Sequence, residues 1–296
     1  MEFIELLKVI LFGIVEGITE WLPVSSTGHL ILFDKFLPLN FSPAFMDMFE
    51  YVIQLAAILA VVVIFWKRVC PIGLKKAQPT EETLQAPNKG GLCWKKDSLT
   101  MWGKVIVACV PALLALVIDK LFLENLSETA ETIMIASTLI VYGVAFILIE
   151  KWNENKTAKV TEIANLSWKN AFFIGCFQVL AAIPGTSRSG VTILGALLLS
   201  VSRTTAAEFT FFLAIPTLVG SSAYKLLDFF MEGFTLTGTE IFALVIGCAV
   251  AFAVSLLAIR FLMDFVKKHS FRVFGWYRIG LGVVVLVTLI LIPALA

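Results

Sequence analysis

The chain has 296 residues, 59% of them hydrophobic and only 15% charged, with a formal net charge of +1. Soluble domains run at roughly 45–50% apolar and about 25% charged, so a soluble globular protein is excluded. The apolar runs are continuous and lack period-two alternation, which excludes a membrane barrel and predicts an all-α polytopic membrane protein. Nothing in this composition points to nucleic-acid binding.

A membrane crossing takes about 20 apolar residues to cover about 30 Å of hydrocarbon. The first apolar run, roughly 3–39, is too long for one crossing and too interrupted for two. Glu2, Glu5, Glu16 and Glu20 give it none of the character of a secretory leader, so the start is expected to belong to the mature protein. Its interruption, Glu16 to His29, reads E-G-I-T-E-W-L-P-V-S-S-T-G-H. Ionisable groups at membrane depth are costly, and they usually face a cavity or a partner.

Six uninterrupted runs follow, at roughly 45–66, 101–123, 131–150, 205–227, 239–262 and 276–296. The polar segment 67–100, with Pro71, Pro79, Pro87, Gly90 and Gly91, is expected to be a loop of little defined structure. Between the third and fourth spans lies a second broken run, 169–202, which contains Pro184-Gly-Thr-Ser-Arg-Ser-Gly190. Each broken run suits a re-entrant helical hairpin, whose irregular tip is tolerated when buried in protein or lining a cavity. The five cysteines and two histidines have no zinc-ligand spacing, and the cysteines read as small apolar fillers.

Loop charge sets the orientation. Lys67, Arg68, Lys75, Lys76, Lys89, Lys95 and Lys96 follow the first span, Lys151, Lys156, Lys159 and Lys169 the third, and Arg260, Lys267, Lys268 and Arg272 the fifth. The alternate loops carry Asp119, Glu124 and Glu128, then Asp228, Glu232 and Glu240. Basic loops stay cytoplasmic, so the first hairpin is expected to enter from outside and the second from the cytoplasm. Two hairpins entering from opposite faces are what an inverted repeat produces. Residues 1–150 would form one repeat and 169–296 the other. Gly13–Gly28 aligns without gaps on Gly175–Gly190, pairing Glu16 with Gln178, Ser25 with Ser187, Ser26 with Arg188 and Thr27 with Ser189.

Glu16 and Glu20 share one helix face a turn apart. Two such carboxylates suit Mg²⁺ or Ca²⁺, with water and phosphate completing the shell, or they hydrogen-bond neighbouring helices. Pro23 ends a helix, and Ser25-Ser26-Thr27-Gly28 suits a turn into the next, where free amides cradle phosphate. Ser26 is a candidate nucleophile or phosphate ligand, and His29 an acid–base group, a rival nucleophile or a packing donor. Arg188 matches phosphate in two-point contact, pairs with Glu16 or Glu20, or does both in turn. Gly185 and Gly190 allow close backbone approach. The set suits metal-assisted phosphoryl transfer on a lipid that brings its phosphate into the membrane.

At these residues the chain resembles the undecaprenyl-diphosphatase family, the bacitracin-resistance proteins of bacterial inner membranes. The family's Glu/Gln-x-x-x-Glu element reads Glu16-Gly-Ile-Thr-Glu20, and its Pro-Gly-x-Ser-Arg-Ser-x-x-Thr element reads Pro184 to Thr192. The resemblance implies hydrolysis of undecaprenyl diphosphate to the monophosphate and inorganic phosphate with a divalent cation, in a cleft where the two hairpins meet. On the loop charges that cleft is expected to open to the periplasmic or external side. It implies metal or base roles for Glu16 and Glu20, a nucleophile at Ser26 with His29 as helper or rival, and a phosphate clamp at Arg188. Ser25, Thr27, Gly28, Gly185, Thr186, Ser187, Ser189 and Thr192 would contact phosphate. The partners expected are the membrane and a polyprenyl diphosphate, with a homodimer as a candidate assembly. A lipid-phosphate flippase built on the same inverted-repeat cleft is the competing reading.

Overall fold

The computed structural model describes residues 2–74, 92–118 and 126–291. The charges expected at Lys75, Lys76, Lys89, Asp119 and Glu124 therefore lie outside the described residues, as do Pro79, Pro87, Gly90 and Gly91.

In chain order, α1 (Phe3–Thr19) and α2 (Ser26–Phe36) precede α3 (Pro43–Ile64), a short α4 (Trp66–Val69) and two paired strands, β1 (Ile72–Leu74) and β2 (Leu92–Trp94). Then come α5 (Lys96–Ile118), α6 (Glu128–Asn153), α7 (Trp168–Val179), α8 (Arg188–Leu198), α9 (Arg203–Met231), α10 (Gly238–Lys268) and α11 (Arg272–Leu286). Among the described residues six helices are long and apolar enough to cross a membrane: α3, α5, α6, α9, α10 and α11 with its continuation. They start a few residues before the apolar runs, and several of them are capped there by side chains. Ser42, Ser127 and Ser202 accept a backbone N–H at the starts of α3, α6 and α9, and Thr237 and Glu240 form a capping box on α10.

The segment 67–100 is more ordered at its ends than the sequence suggests. β1 and β2 pair antiparallel in register Ile72 with Trp94 and Leu74 with Leu92. Ser98 Oγ donates to Cys70 O, Lys95 Nζ to Lys67 O and Trp102 Nε1 to Val69 O, so the start of α5 is tied back to α4. These side-chain bonds satisfy carbonyls that neither helix serves, and composition does not reveal them.

The helices pack in exchanged pairs. α1 lies along α10 and α7 along α5; α2 touches α11 and α8 touches α6; α3 pairs with α9 and α6 with α11. The α6–α11 crossing is close: a Cβ on Gly143 would meet Gly275 O at 2.7 Å, and one on Gly275 would meet Gly143 O at 2.7 Å. Small residues at such a contact let backbones approach where lipid supplies no hydrophobic drive between helices.

Both broken runs fold as helix–turn–helix hairpins. The open end of α1–α2 is held by Lys8 Nζ donating to Pro38 O at 2.6 Å and by Asn40 N donating to Glu5 at 2.6 Å. It shares an apolar cluster with Phe229 near the end of α9 and Ala243 near the start of α10. The open end of α7–α8 is held by Lys159 N donating to Ser200 O and by a bridge between Val160 and Val201. It packs with Ala206 near the start of α9 and Val266 near the end of α10. The two hairpins therefore open at opposite ends of the bundle. At the second end Glu150, almost fully buried, accepts three hydrogen bonds from Arg203 and one from Phe271 N.

Candidate active site

The tips of the two hairpins meet. α1 ends at Thr19, and Pro23 interrupts the way to α2; α7 continues as a single turn, Leu180–Ala182, before Pro184. Across the junction Arg188 Nη2 donates to Glu20 Oε1 at 2.6 Å, between largely buried side chains. Glu20 Oε2 faces the Ser26 hydroxyl at 3.5 Å, and Ser189 Oγ donates to Glu20 O at 3.3 Å. One carboxylate thus joins a hydroxyl of the first turn to a guanidinium of the second.

The two helices that leave the turns are capped alike. Ser25 sits at φ 73° and ψ 106°, Ser187 at φ 70° and ψ 115°. Each side chain accepts a backbone N–H three residues on, from Gly28 at 3.4 Å and Gly190 at 3.2 Å. Positive φ at a non-glycine residue costs about 1–3 kcal/mol and persists where the surroundings over-determine it. Gly185 also has positive φ, and a Cβ there would meet Ile135 of α6 and the Thr138 hydroxyl. That hydroxyl donates to Pro184 O, tying the second turn to α6.

Glu16 is fully buried, and neither carboxylate oxygen has a hydrogen-bond partner. A buried carboxylate without donors needs a proton or a cation, so Glu16 fits the acidic half of a metal site, a turn from Glu20. Among the described residues no group of three or more Asp, Glu, His or Cys side chains gathers to hold an ion, so a cation here would also draw ligands from water or substrate.

The other expected residues divide. Thr27 is exposed in the first turn of α2, and Ser187 and Ser189 hydroxyls face each other at 3.2 Å. The amides of Gly28 and Gly190 are already given to the caps. Thr192 is turned away, donating to Arg188 O and meeting Thr210 Oγ1 at 2.9 Å. His29 contacts Ser25 O through Nδ1 and the Tyr277 hydroxyl through Nε2, each at 2.7 Å, rather than Ser26.

Sequence reasoning missed Arg278. It is fully buried on α11 and donates to Pro23 O at 3.3 Å, Gly185 O at 3.0 Å and Thr186 O at 2.9 Å. One guanidinium therefore pins both turns, using its planar fork on carbonyls of two chain segments. The signal was present as an arginine in an apolar run, but it lies near the start of the last run and reads as a flanking charge. Thr217 was missed as well. Beside Pro216 in α9 it back-bonds to Leu213 O and accepts from Arg188 Nη1 at 3.4 Å.

Fold and site together define a polytopic, all-helical membrane protein with a buried acid–hydroxyl–guanidinium centre between two helical hairpins. The chain belongs to the bacitracin resistance protein BacA family, whose model matches residues 9–284. It is 54% identical to an undecaprenyl-diphosphatase of Enterococcus faecalis over 97% of this chain and 98% of that protein. Proteins of the same name from Lachnoclostridium phytofermentans (53%, covering 96% and 97%) and Desulfitobacterium hafniense (51%, covering 97% and 96%) are similar over the same extent.

Proposed function

We propose that this chain hydrolyses undecaprenyl diphosphate to undecaprenyl phosphate and inorganic phosphate in the bacterial inner membrane. That activity would recycle the lipid carrier for peptidoglycan and other envelope polymers, and would raise resistance to bacitracin. The observation that carries the proposal is Glu20 held between the Ser26 hydroxyl and the Arg188 guanidinium across the two turns. The names of the relatives supply the substrate class.

Glu20 Oε2 is positioned to take the Ser26 proton as Ser26 Oγ attacks the terminal phosphorus. The anhydride bond breaks, the lipid monophosphate leaves, and water later frees inorganic phosphate from phosphoserine. If water attacks directly, Glu20 takes its proton instead and no phosphoserine forms. Arg188 exchanges Glu20 for phosphate oxygens, and its fork then stabilises charge that grows in the transition state. Glu16, with Glu20, would hold a divalent cation, which supplies neutralisation of the diphosphate charge.

We read α1–α2 and α7–α8 as re-entrant hairpins of an inverted repeat. The exchanged helix pairs, the matched Ser25 and Ser187 caps and the opposite open ends support this. On the loop charges, Lys267, Lys268 and Arg272 face the cytoplasm, and the cleft opens outward.

Phosphate release from undecaprenyl or farnesyl diphosphate by purified protein in detergent tests the proposal. Wild type, Glu20→Ala and Arg188→Ala are compared with Mg²⁺ or Ca²⁺ and with chelator. Metal-dependent release lost in both variants supports it. No release by folded wild type overturns the enzyme reading in favour of lipid flipping.

A further inference from the structure

We propose that Tyr277 is a positioning residue for His29, the acid–base candidate that the sequence offers beside Ser26, an inference that rests on the phosphatase reading above and adds His29 to it. Its hydroxyl lies 2.7 Å from His29 Nε2, and the two ring planes are within 11° of parallel with centroids 5.6 Å apart. The other ring nitrogen, Nδ1, lies 2.7 Å from Ser25 O. A carbonyl only accepts, so Nδ1 carries the proton and Nε2 presents its lone pair. The Tyr277 hydroxyl donates to that lone pair. Imidazole is thereby fixed at both ends, one by the cap residue of α2 and the other by α11. Arg278 follows Tyr277 in α11 and grips both turns, so the helix that orients His29 is itself registered to the site.

The arrangement sets what His29 does. With Nδ1–H given to Ser25 O, Nε2 is the ring nitrogen left to take up a proton, and it does so through the half-exposed phenol that faces it: the hydroxyl hands its proton to Nε2 as its oxygen takes one from the reacting side. A phenol both donates and accepts, so it serves neutral His29 as donor and protonated His29 as acceptor. The ring keeps one orientation in both states. Removing the hydroxyl frees the imidazole to rotate and leaves Nε2 without its partner.

The test is a double-mutant cycle with Tyr277→Phe and His29→Ala in phosphate release, together with ¹⁵N spectra of histidine-labelled protein. The chain has only two histidines, so His269 serves as an internal reference. Tyr277→Phe is expected to lower kcat about fivefold to tenfold, the scale of one neutral hydrogen bond, with KM little changed. In the His29→Ala background it is expected to cost nothing, because the two act as a unit. The His29 Nε2 resonance is expected to shift toward that of a free acceptor while His269 stays in place. Additive losses, or an unchanged Nε2 resonance in Tyr277→Phe, overturn the inference. If wild type releases no phosphate, the phosphatase reading fails, and the spectra still decide whether Tyr277 holds His29.

Discussion

Glu20 and Arg188 come from opposite halves of the chain, and their 2.6 Å ion pair is the direct side-chain bond between the two turns. The carboxylate is in contact with the Ser26 hydroxyl at the same time. Breaking a buried pair by removing one partner costs about 3–5 kcal/mol, because the remaining charge is left uncompensated. Arg188→Ala is therefore expected to lower thermal stability as well as phosphate release, by at least about 10²-fold in kcat. Glu20→Gln added to Arg188→Ala is expected to recover stability without activity. Arg188→Lys keeps the charge but loses the fork, and is expected to stay well below wild type. Thermal unfolding in detergent beside the phosphate assay separates the two effects.

Arg278 acts on the backbone of the turns. Arg278→Met removes the donor from Pro23 O, Gly185 O and Thr186 O. A buried carbonyl left unsatisfied costs about 1–3 kcal/mol, so a large drop in melting temperature is expected, with activity lost because the turns lose their register. Arg278→Lys is expected to recover only part of the stability, since one ammonium cannot reproduce the two-ended grip. Unchanged melting in Arg278→Met would remove the pin from the account.

Ser25 and Ser187 combine strain with a cap, and glycine and alanine separate the two. Alanine keeps the disfavoured positive φ and loses the cap bond, worth about 1 kcal/mol. Glycine also loses the bond but relieves strain of about 1–3 kcal/mol. Ser187→Gly is therefore expected to unfold at a higher temperature than Ser187→Ala, and the Ser25 pair to behave alike. Equal melting of the two variants at both positions would mean that the turns store no strain.

How much of this was legible follows from what each residue touches. The helix breaks at Pro23 and Pro184 were readable because proline and hydroxyl-rich turns act locally. The glutamates, Ser26 and Arg188 stood out because such groups are costly in apolar sequence. Arg278, Tyr277 and Thr138 did not, because their importance lies in contacts with segments far away in the chain. Thr138 reads as a helical threonine until Pro184 O is brought to its hydroxyl. The ends of the 67–100 segment were likewise hidden, since side-chain bonds to α4 order them rather than any apolar pattern.

The α6–α11 crossing gives a prediction far from the chemistry. Gly143 and Gly275 face each other so closely that a Cβ on either would sit 2.7 Å from the other's carbonyl oxygen. Backbone cannot yield as a flexible side chain does, so the helices must move apart. Overpacking of this kind costs about 1–3 kcal/mol, and Gly143→Ala and Gly275→Ala are each expected to lower the melting temperature. The double variant is expected to cost less than the sum, because one separation of the helices accommodates both methyl groups. Gly220 in α9 and Gly280 in α11 provide the control, since a Cβ at either meets nothing within 4 Å. Alanine there is expected to be neutral or to stabilise by up to about 1 kcal/mol through helix propensity. Because α11 carries Arg278 and Tyr277 and α6 carries Thr138, the same displacement reaches the turns. Gly275→Ala is therefore expected to slow phosphate release even below its melting temperature, whereas Gly220→Ala is not. Full activity in a destabilised Gly275→Ala protein would show that the helix crossing and the site are mechanically independent.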